Sequence, residues 1–223
     1  MTRAQIRDRI LQALNESTSA PVFWTTAQLD AVIDEASEVL AEEAKAIRRT
    51  AFVARQAGAT YYSTRGVAPD VMAIYRLWLP DLDRRLVAVS LAELDAQNET
   101  WPNATGDPEY WFPISWDMFG IYPHPATGGG LLRMDYIAWP RTLLDDSDEP
   151  EFREADHDAL VMYGLYDGLM KQWNAPRALE LFGRFMGQWE TGRARNGIRE
   201  TQARVFQRPT APGAPFKSGV TRG

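Results

Sequence analysis

The sequence predicts an α+β protein: a helical core of two N-terminal and two C-terminal helices, an inserted small antiparallel β-sheet, and an extended C-terminal arm. Three observations carry this. Apolar residues recur at three- and four-residue steps near both ends of the chain, the middle falls into short runs of period two broken by Gly, Pro and Asp, and the last twenty or so residues lose all periodicity. The chain accordingly divides into N-terminal helices over residues 1–50, a strand-rich insert packed on the same core over 51–144, a C-terminal helix pair over 145–202, and an arm over 203–223.

Ile6, Ile10, Leu11 and Leu14 mark the first helix, with Thr2-x-x-Gln5 as a capping box and Asn15 near its end. A second box, Thr25-x-x-Gln28, follows Val22-Phe23-Trp24 and opens a longer helix expected to run through residue 48. On it Leu29, Val32, Ile33, Ala36, Val39, Leu40, Ala44 and Ile47 form one stripe, and Asp30, Asp34, Glu35, Glu38, Glu42 and Glu43 are expected on a solvated opposite face.

The period then changes. Residues 50–54 and 60–63 are short β-prone runs, and residues 70–79 read as a strand with Val71, Ala73, Tyr75 and Leu77 on one face and Met72, Ile74, Arg76 and Trp78 on the other, both largely covered. Residues 80–83 make a turn and 86–89 another strand, and Ser90-x-x-Glu93 caps a short helix through Gln97. The Gly106-Asp107-Pro108 turn leads into Tyr110-Trp111-Phe112 and then a run over residues 118–122, after which Gly128-Gly129-Gly130 turns the chain into an alternating strand over 131–138. The acidic run at 145–151 reads as a solvated link. Leu160, Val161, Tyr163, Gly164, Leu165, Gly168 and Leu169 then mark a helix whose glycines admit another backbone closely. Pro176 sits in the first turn of the last helix, where Leu179, Phe182, Phe185, Met186 and Trp189 form the apolar stripe through about residue 190.

Composition narrows the function. The chain has no cysteine, which excludes disulfides, thiolate metal sites and cysteine nucleophiles. No apolar run reaches the roughly 20 residues that span a bilayer, and Met1-Thr2-Arg3-Ala4-Gln5 carries no secretory h-region, so the expected partners include no membrane and synthesis is expected in the cytoplasm. A net charge of -6 disfavours sequence-independent gripping of DNA, which depends on many Lys/Arg contacts to phosphate.

Searching for chemistry yields little. Glu154-x-x-His157 has the helical spacing of di-iron sites but lacks the second such pair, and the other histidine, His124, lies between prolines. There is no Gly-x-Ser-x-Gly, and the glycine triplet lacks a following Lys-Ser/Thr. No catalytic, cofactor-binding or metal residues are assigned, and no cofactor is expected. Trp101, Trp111, Trp116 and Trp139 are expected to pack in the core or at an interface. The alternative is a carbohydrate-binding or carbohydrate-cleaving protein that uses the clustered tryptophans and the many carboxylates.

The succession of Tyr62, Pro69-Asp70-Val71-Met72-Ala73-Ile74, Leu86-Val87-Ala88-Val89-Ser90-Leu91-Ala92-Glu93-Leu94-Asp95, Gly106-Asp107-Pro108-Glu109-Tyr110-Trp111, Ile121-Tyr122-Pro123-His124-Pro125, Leu132-Arg133-Met134-Asp135-Tyr136 and His157-Asp158-Ala159-Leu160-Val161 resembles the head-to-tail adaptor (connector) proteins of tailed bacteriophages. That resemblance implies a non-enzymatic virion protein at the head-tail junction. It implies a homo-oligomeric ring of twelve copies below the portal protein, extending a channel through which DNA passes without specific binding, and docking a downstream tail, stopper or terminator protein. It also implies that the C-terminal arm, mobile and basic by itself, is held by the portal, with Val205, Phe206, Arg208, Phe216, Lys217, Val220 and Arg222 in contact. The acidic helix from residue 26 is one candidate for the channel wall. Asp107, Tyr110, Trp111, Phe112 and Trp116 are the candidates for ring or tail contact.

Overall fold

The computed structural model describes residues 1–97 and 100–195. Two helices open the chain, α1 (Arg3–Ala13) and α2 (Thr26–Ala44), and both capping boxes form: the Thr2 and Thr25 hydroxyls accept from the N–H groups of Gln5 and Gln28, whose side chains reach back. The acidic run does more than link. The carbonyls of Asp148 and Asp146 accept the first free N–H groups of α1, from Arg3 at 2.8 Å and Ala4 at 3.1 Å, while the Asp146 carboxylate pairs with Arg7. Orphan donors at a helix start are thus satisfied by backbone, with negative charge close to the positive end of the helix dipole.

α2 stops earlier than its apolar stripe suggests. Lys45 adopts the left-handed conformation (φ 47°) and its N–H closes on the Ala41 carbonyl, so Ile47 remains buried but on extended chain leading into β1 (Arg48–Ala54). Its acidic residues do not all face water either. Asp30 pairs with Arg3 and Arg7, the Leu143 N–H lies 3.5 Å from the Asp34 carboxylate, and the Tyr163 hydroxyl donates to Glu35 at 2.9 Å.

The middle of the chain builds two four-stranded sheets where one was expected. The remaining strands are β2 (Tyr61–Ser63), β3 (Val71–Leu79), β4 (Arg84–Arg85), β5 (Val87–Ala88), β6 (Tyr110–Ser115), β7 (Met118–Tyr122) and β8 (Leu131–Ala138). The first sheet, in the order β1-β8-β3-β4, is antiparallel throughout. The second, β2-β7-β6-β5, is mixed, because β5 runs parallel to β6. The expected strand over 86–89 is split between them: buried Leu86, whose N–H bonds the Leu77 carbonyl at 3.0 Å, is the residue at which the chain leaves one sheet for the other. Register shifts in β3 around Met72 and Tyr75 break the simple alternation read from the sequence.

A short helix, α3 (Leu91–Gln97), is capped by Ser90, whose hydroxyl accepts the Glu93 N–H at 3.2 Å. It packs with Trp101 and Phe112 in a small satellite cluster. α4 (His157–Lys171) and α5 (Ala175–Arg195) complete the bundle, α5 running past the expected end. The close approach at Gly164 and Gly168 is made by side chains and not by another backbone: Ile10 of α1 sits over Gly164, and Leu14, which caps the end of α1, over Gly168. The main core joins α1, α2, α4 and α5 to the inner face of the first sheet, where Ala51, Val53, Leu77, Leu79, Leu132 and Met134 are buried.

Candidate functional site

A functional site in this chain is a question of exposed surface, and three regions stand out. The first is the tip of the β6–β7 hairpin. Ser115 and Asp117 tie the turn together, the Ser115 hydroxyl donating to the Asp117 carboxylate at 2.8 Å, and this turn holds Trp116 in solvent, 89% exposed. Arg65 pairs with the same carboxylate, and Ile114 and Met118 are exposed on either side of the turn. Of the residues expected to make ring or tail contacts, Trp116 and Asp107 are exposed and Tyr110 is half-buried, its ring stacked on Tyr122. Trp111 and Phe112 are not at the surface: they are 2% and 0% exposed. Phe112 lies edge-on to Trp101 and fills the space over Gly120, where any side chain would overlap its ring. Trp101 is buried as well, its indole N–H donating to Asp95 at 2.7 Å, whereas Trp139 is exposed. With Trp101 and Trp111 buried, these four tryptophans do not present one common face to solvent.

The second region is the end of the helical bundle formed by the α1–α2 loop and the α4–α5 turn. The Phe23 ring stands edge-on to buried Trp24 at 5.2 Å, and Lys171 of α4 lies 4.7 Å over the Trp24 ring, which brings the two segments together. This end displays Val22, Phe23 and Met170, and Trp173, which is 94% exposed and left-handed (φ 60°). Nearby, a cavity of about 260 Å³ between the end of α1 and the α4–α5 pair is lined by Leu14, Leu165, Leu169 and Leu181 together with Arg177, Glu180 and Arg184, the last two paired.

The third region is the outward face of the first sheet. The pairing register sets Phe52, Arg133, Trp78 and Arg85 side by side in one row across all four strands, and Thr50, Asp135 and Arg76 in the next. Asp135 is 1% exposed and accepts from the Thr50 hydroxyl at 2.7 Å, Arg76 Nε at 2.6 Å and Arg133 Nε at 3.0 Å. Burial pushes its carboxyl up, but the hydrogen bonds from Thr50, Arg76 and Arg133 outweigh it and hold the group below the ordinary aspartate value. Arg48 lies over the Tyr75 ring at 5.6 Å on the same face. Arg133 and Asp135 alternate visibly in the sequence, but their union with Arg76 and Thr50 depends on strand register, which periodicity does not supply.

The histidines are occupied structurally. His157 is 2% exposed, with the Met1 amino group 2.8 Å from Nδ1 and the Phe152 carbonyl 3.1 Å from Nε2, and His124 Nε2 is 2.9 Å from the Thr105 hydroxyl. No helix among the described residues is long and apolar enough to cross a membrane. Val205, Phe206, Arg208, Phe216, Lys217, Val220 and Arg222, expected to form the portal-contacting arm, lie outside the described residues.

Compared with known proteins, the chain matches the family model described as SU10 adaptor protein over residues 1–213. No curated protein matches it.

Proposed function

The chain belongs to the SU10 adaptor protein family, a family of phage head-to-tail adaptors, and on that premise we propose that it is a structural protein of the virion that forms a ring below the portal, continues the DNA channel and receives the tail. The observation that carries this reading is the family match along residues 1–213, which takes in the helices, both sheets and most of the C-terminal segment. Its role is mechanical and not catalytic. A net charge of -6 suits a conduit, because a wall that repels phosphate weakly lets DNA slide where an attractive one would hold it. The arm over residues 205–223 reaches the portal, with Phe206, Phe216 and Val220 as apolar anchors and Arg208, Lys217 and Arg222 meeting acidic surface. Trp116 and Asp107 offer a contact to the tail-side protein.

Deletion of residues 205–223 tests this. The truncated chain is expected to fold with an unchanged melting temperature and to lose attachment to portal-bearing heads in a reconstitution followed by electron microscopy. Attachment at the full-length level would refute the role given to the arm, and a full-length chain that never joins such heads would overturn the adaptor reading itself.

A further inference from the structure

The outward face of the first sheet has a composition unlike the rest of this acidic molecule. Arg48 on β1, Arg133 on β8, Arg76 on β3 and Arg85 on β4 place one guanidinium on each strand, and Phe52, Tyr75 and Trp78 lie among them. Phe52 is 51% exposed, and the side chains of Arg76 and Arg133 are 34% and 42% exposed, so the face is open. Asp135, the one carboxylate on the four described strands of this sheet, is buried beneath Arg76 and Arg133 and holds Arg76 through Nε and Nη2 and Arg133 through Nε, which fixes the two guanidiniums while each keeps contact with solvent. Arginine and aromatic residues held rigid in this way are what the centres of protein interfaces select.

A complementary surface exists on the same chain. α2 contains Asp30, Asp34, Glu35, Glu38, Glu42 and Glu43 and no Lys or Arg. Ala31, Glu35, Glu38 and Glu42, at helical steps of four, three and four, are its exposed stripe. From Ala31 to Glu42 that stripe is about 16 Å long at the α-helical rise. Arg48 and Arg85 lie three strand spacings apart across the sheet and, because Arg85 shares its row with Phe52, four residues apart along it, which together come to about 20 Å. The signs are opposite and the two spans are comparable.

We infer that the outward face of the first sheet is the docking site for the acidic α2 stripe of a second copy of this chain, so that successive copies join head to tail. The inference rests on the ring reading above and supplies its interface. Two different, mutually complementary surfaces on one chain make a heterologous contact, which closes into a ring when the rotation permits, whereas a face that pairs with itself gives a two-fold dimer. The assignment takes the α2 stripe out of the channel wall and into the contact between neighbours. A phosphate backbone is the poorer fit to the sheet, because the Asp135 carboxylate beneath Arg76 and Arg133 already offsets part of their charge and the molecule as a whole repels nucleic acid.

Charge reversal tests this without disturbing the Asp135 cluster. Full-length chains carrying Arg48→Glu with Arg85→Glu, or Glu38→Lys with Glu42→Lys, are compared with wild type by sedimentation velocity over a concentration series and by ring formation on portal-bearing heads, after thermal melts establish folding. Each double variant is expected to weaken association by about tenfold or more. An equimolar mixture of the two is expected to recover wild-type association, as is the chain carrying all four changes, since either restores opposite charges at every contact. A wild type that forms rings on heads while both variants do so equally, or variants that fail without recovery on mixing, would overturn this interface and leave the adaptor reading standing. Loss of retention on a single-stranded oligonucleotide column by the arginine variant, with association intact, would assign the face to nucleic acid instead. A wild type that neither self-associates nor joins heads would overturn both readings.

Discussion

Ile10 of α1 lies directly over Gly164 of α4, so close that a Cβ on residue 164 would overlap the Ile10 δ-methyl. Glycine in a helix interior ordinarily costs up to about 1 kcal/mol relative to alanine, so its presence reflects the crossing and not local preference. Gly164→Ala is therefore expected to destabilise the fold by about 1–3 kcal/mol despite its better helix propensity. Ile10→Val, which removes the obstructing methyl, is expected to cost about 1 kcal/mol alone. The two together should cost less than their sum, which urea unfolding midpoints of the four chains would reveal.

Asp135 supports a second prediction. Asp135→Asn keeps the volume but removes the charge that Arg76 and Arg133 hold, and because both guanidiniums retain contact with water the loss is expected below the roughly 3–5 kcal/mol of a fully buried ion pair, at about 2 kcal/mol. The pH dependence has a definite sign. The folded carboxyl titrates below its unfolded value, so its contribution is complete above the unfolded value, roughly pH 4, and is lost as pH falls through the folded one. Chemical denaturation at pH 7 and at successively lower pH should show wild type and variant converging in acid. A difference that stays constant through pH 3 would refute the role given to this carboxylate.

The elements that could be read from the sequence are those whose signal is local. Both Thr-x-x-Gln boxes, the Ser90-x-x-Glu93 cap and the glycine turn before β8 formed where expected, because each is built from residues three or four apart. The end of α2 was not legible, since Lys45 rather than Gly or Asn takes the left-handed position, and the apolar stripe continues through Ile47 onto extended chain. Nor was the division into two sheets, which turns on Leu86 bonding Leu77 while Val87 turns to β6. Burial split the aromatic cluster in a way its composition does not announce: Trp111 and Phe112 go inward and Trp116, four residues later, sits in a turn. The arginine face became visible only through register.

Trp116 is held in water by a turn whose hydrogen bonds, between Ser115 and Asp117, do not involve its side chain. Trp116→Ser is expected to change unfolding free energy by no more than about 0.5 kcal/mol, the usual range for surface substitutions. Under the adaptor reading it should reduce attachment of the tail-side component, scored as the fraction of tailed particles after assembly. Equal tailing would remove Trp116 from the contact.

Trp173 makes the same argument more sharply, because its backbone bears a cost as well. It occupies the turn between α4 and α5 with φ 60°, a conformation that disfavours a non-glycine residue by about 1–2 kcal/mol, and its side chain is 94% exposed, so little packing within the chain offsets this. Trp173→Gly is accordingly expected to stabilise the isolated protein by up to about 1 kcal/mol. A residue that lowers stability without packing inward points to a contact made outside the chain, with Val22, Phe23 and Met170 beside it on the same end of the bundle. The glycine variant is therefore expected to melt higher and to assemble onto portal-bearing heads less well, and it is the pairing of those two outcomes that matters. A higher melting temperature with unimpaired assembly would mean that the tryptophan serves no contact there, and a lower one would mean that its ring stabilises the turn.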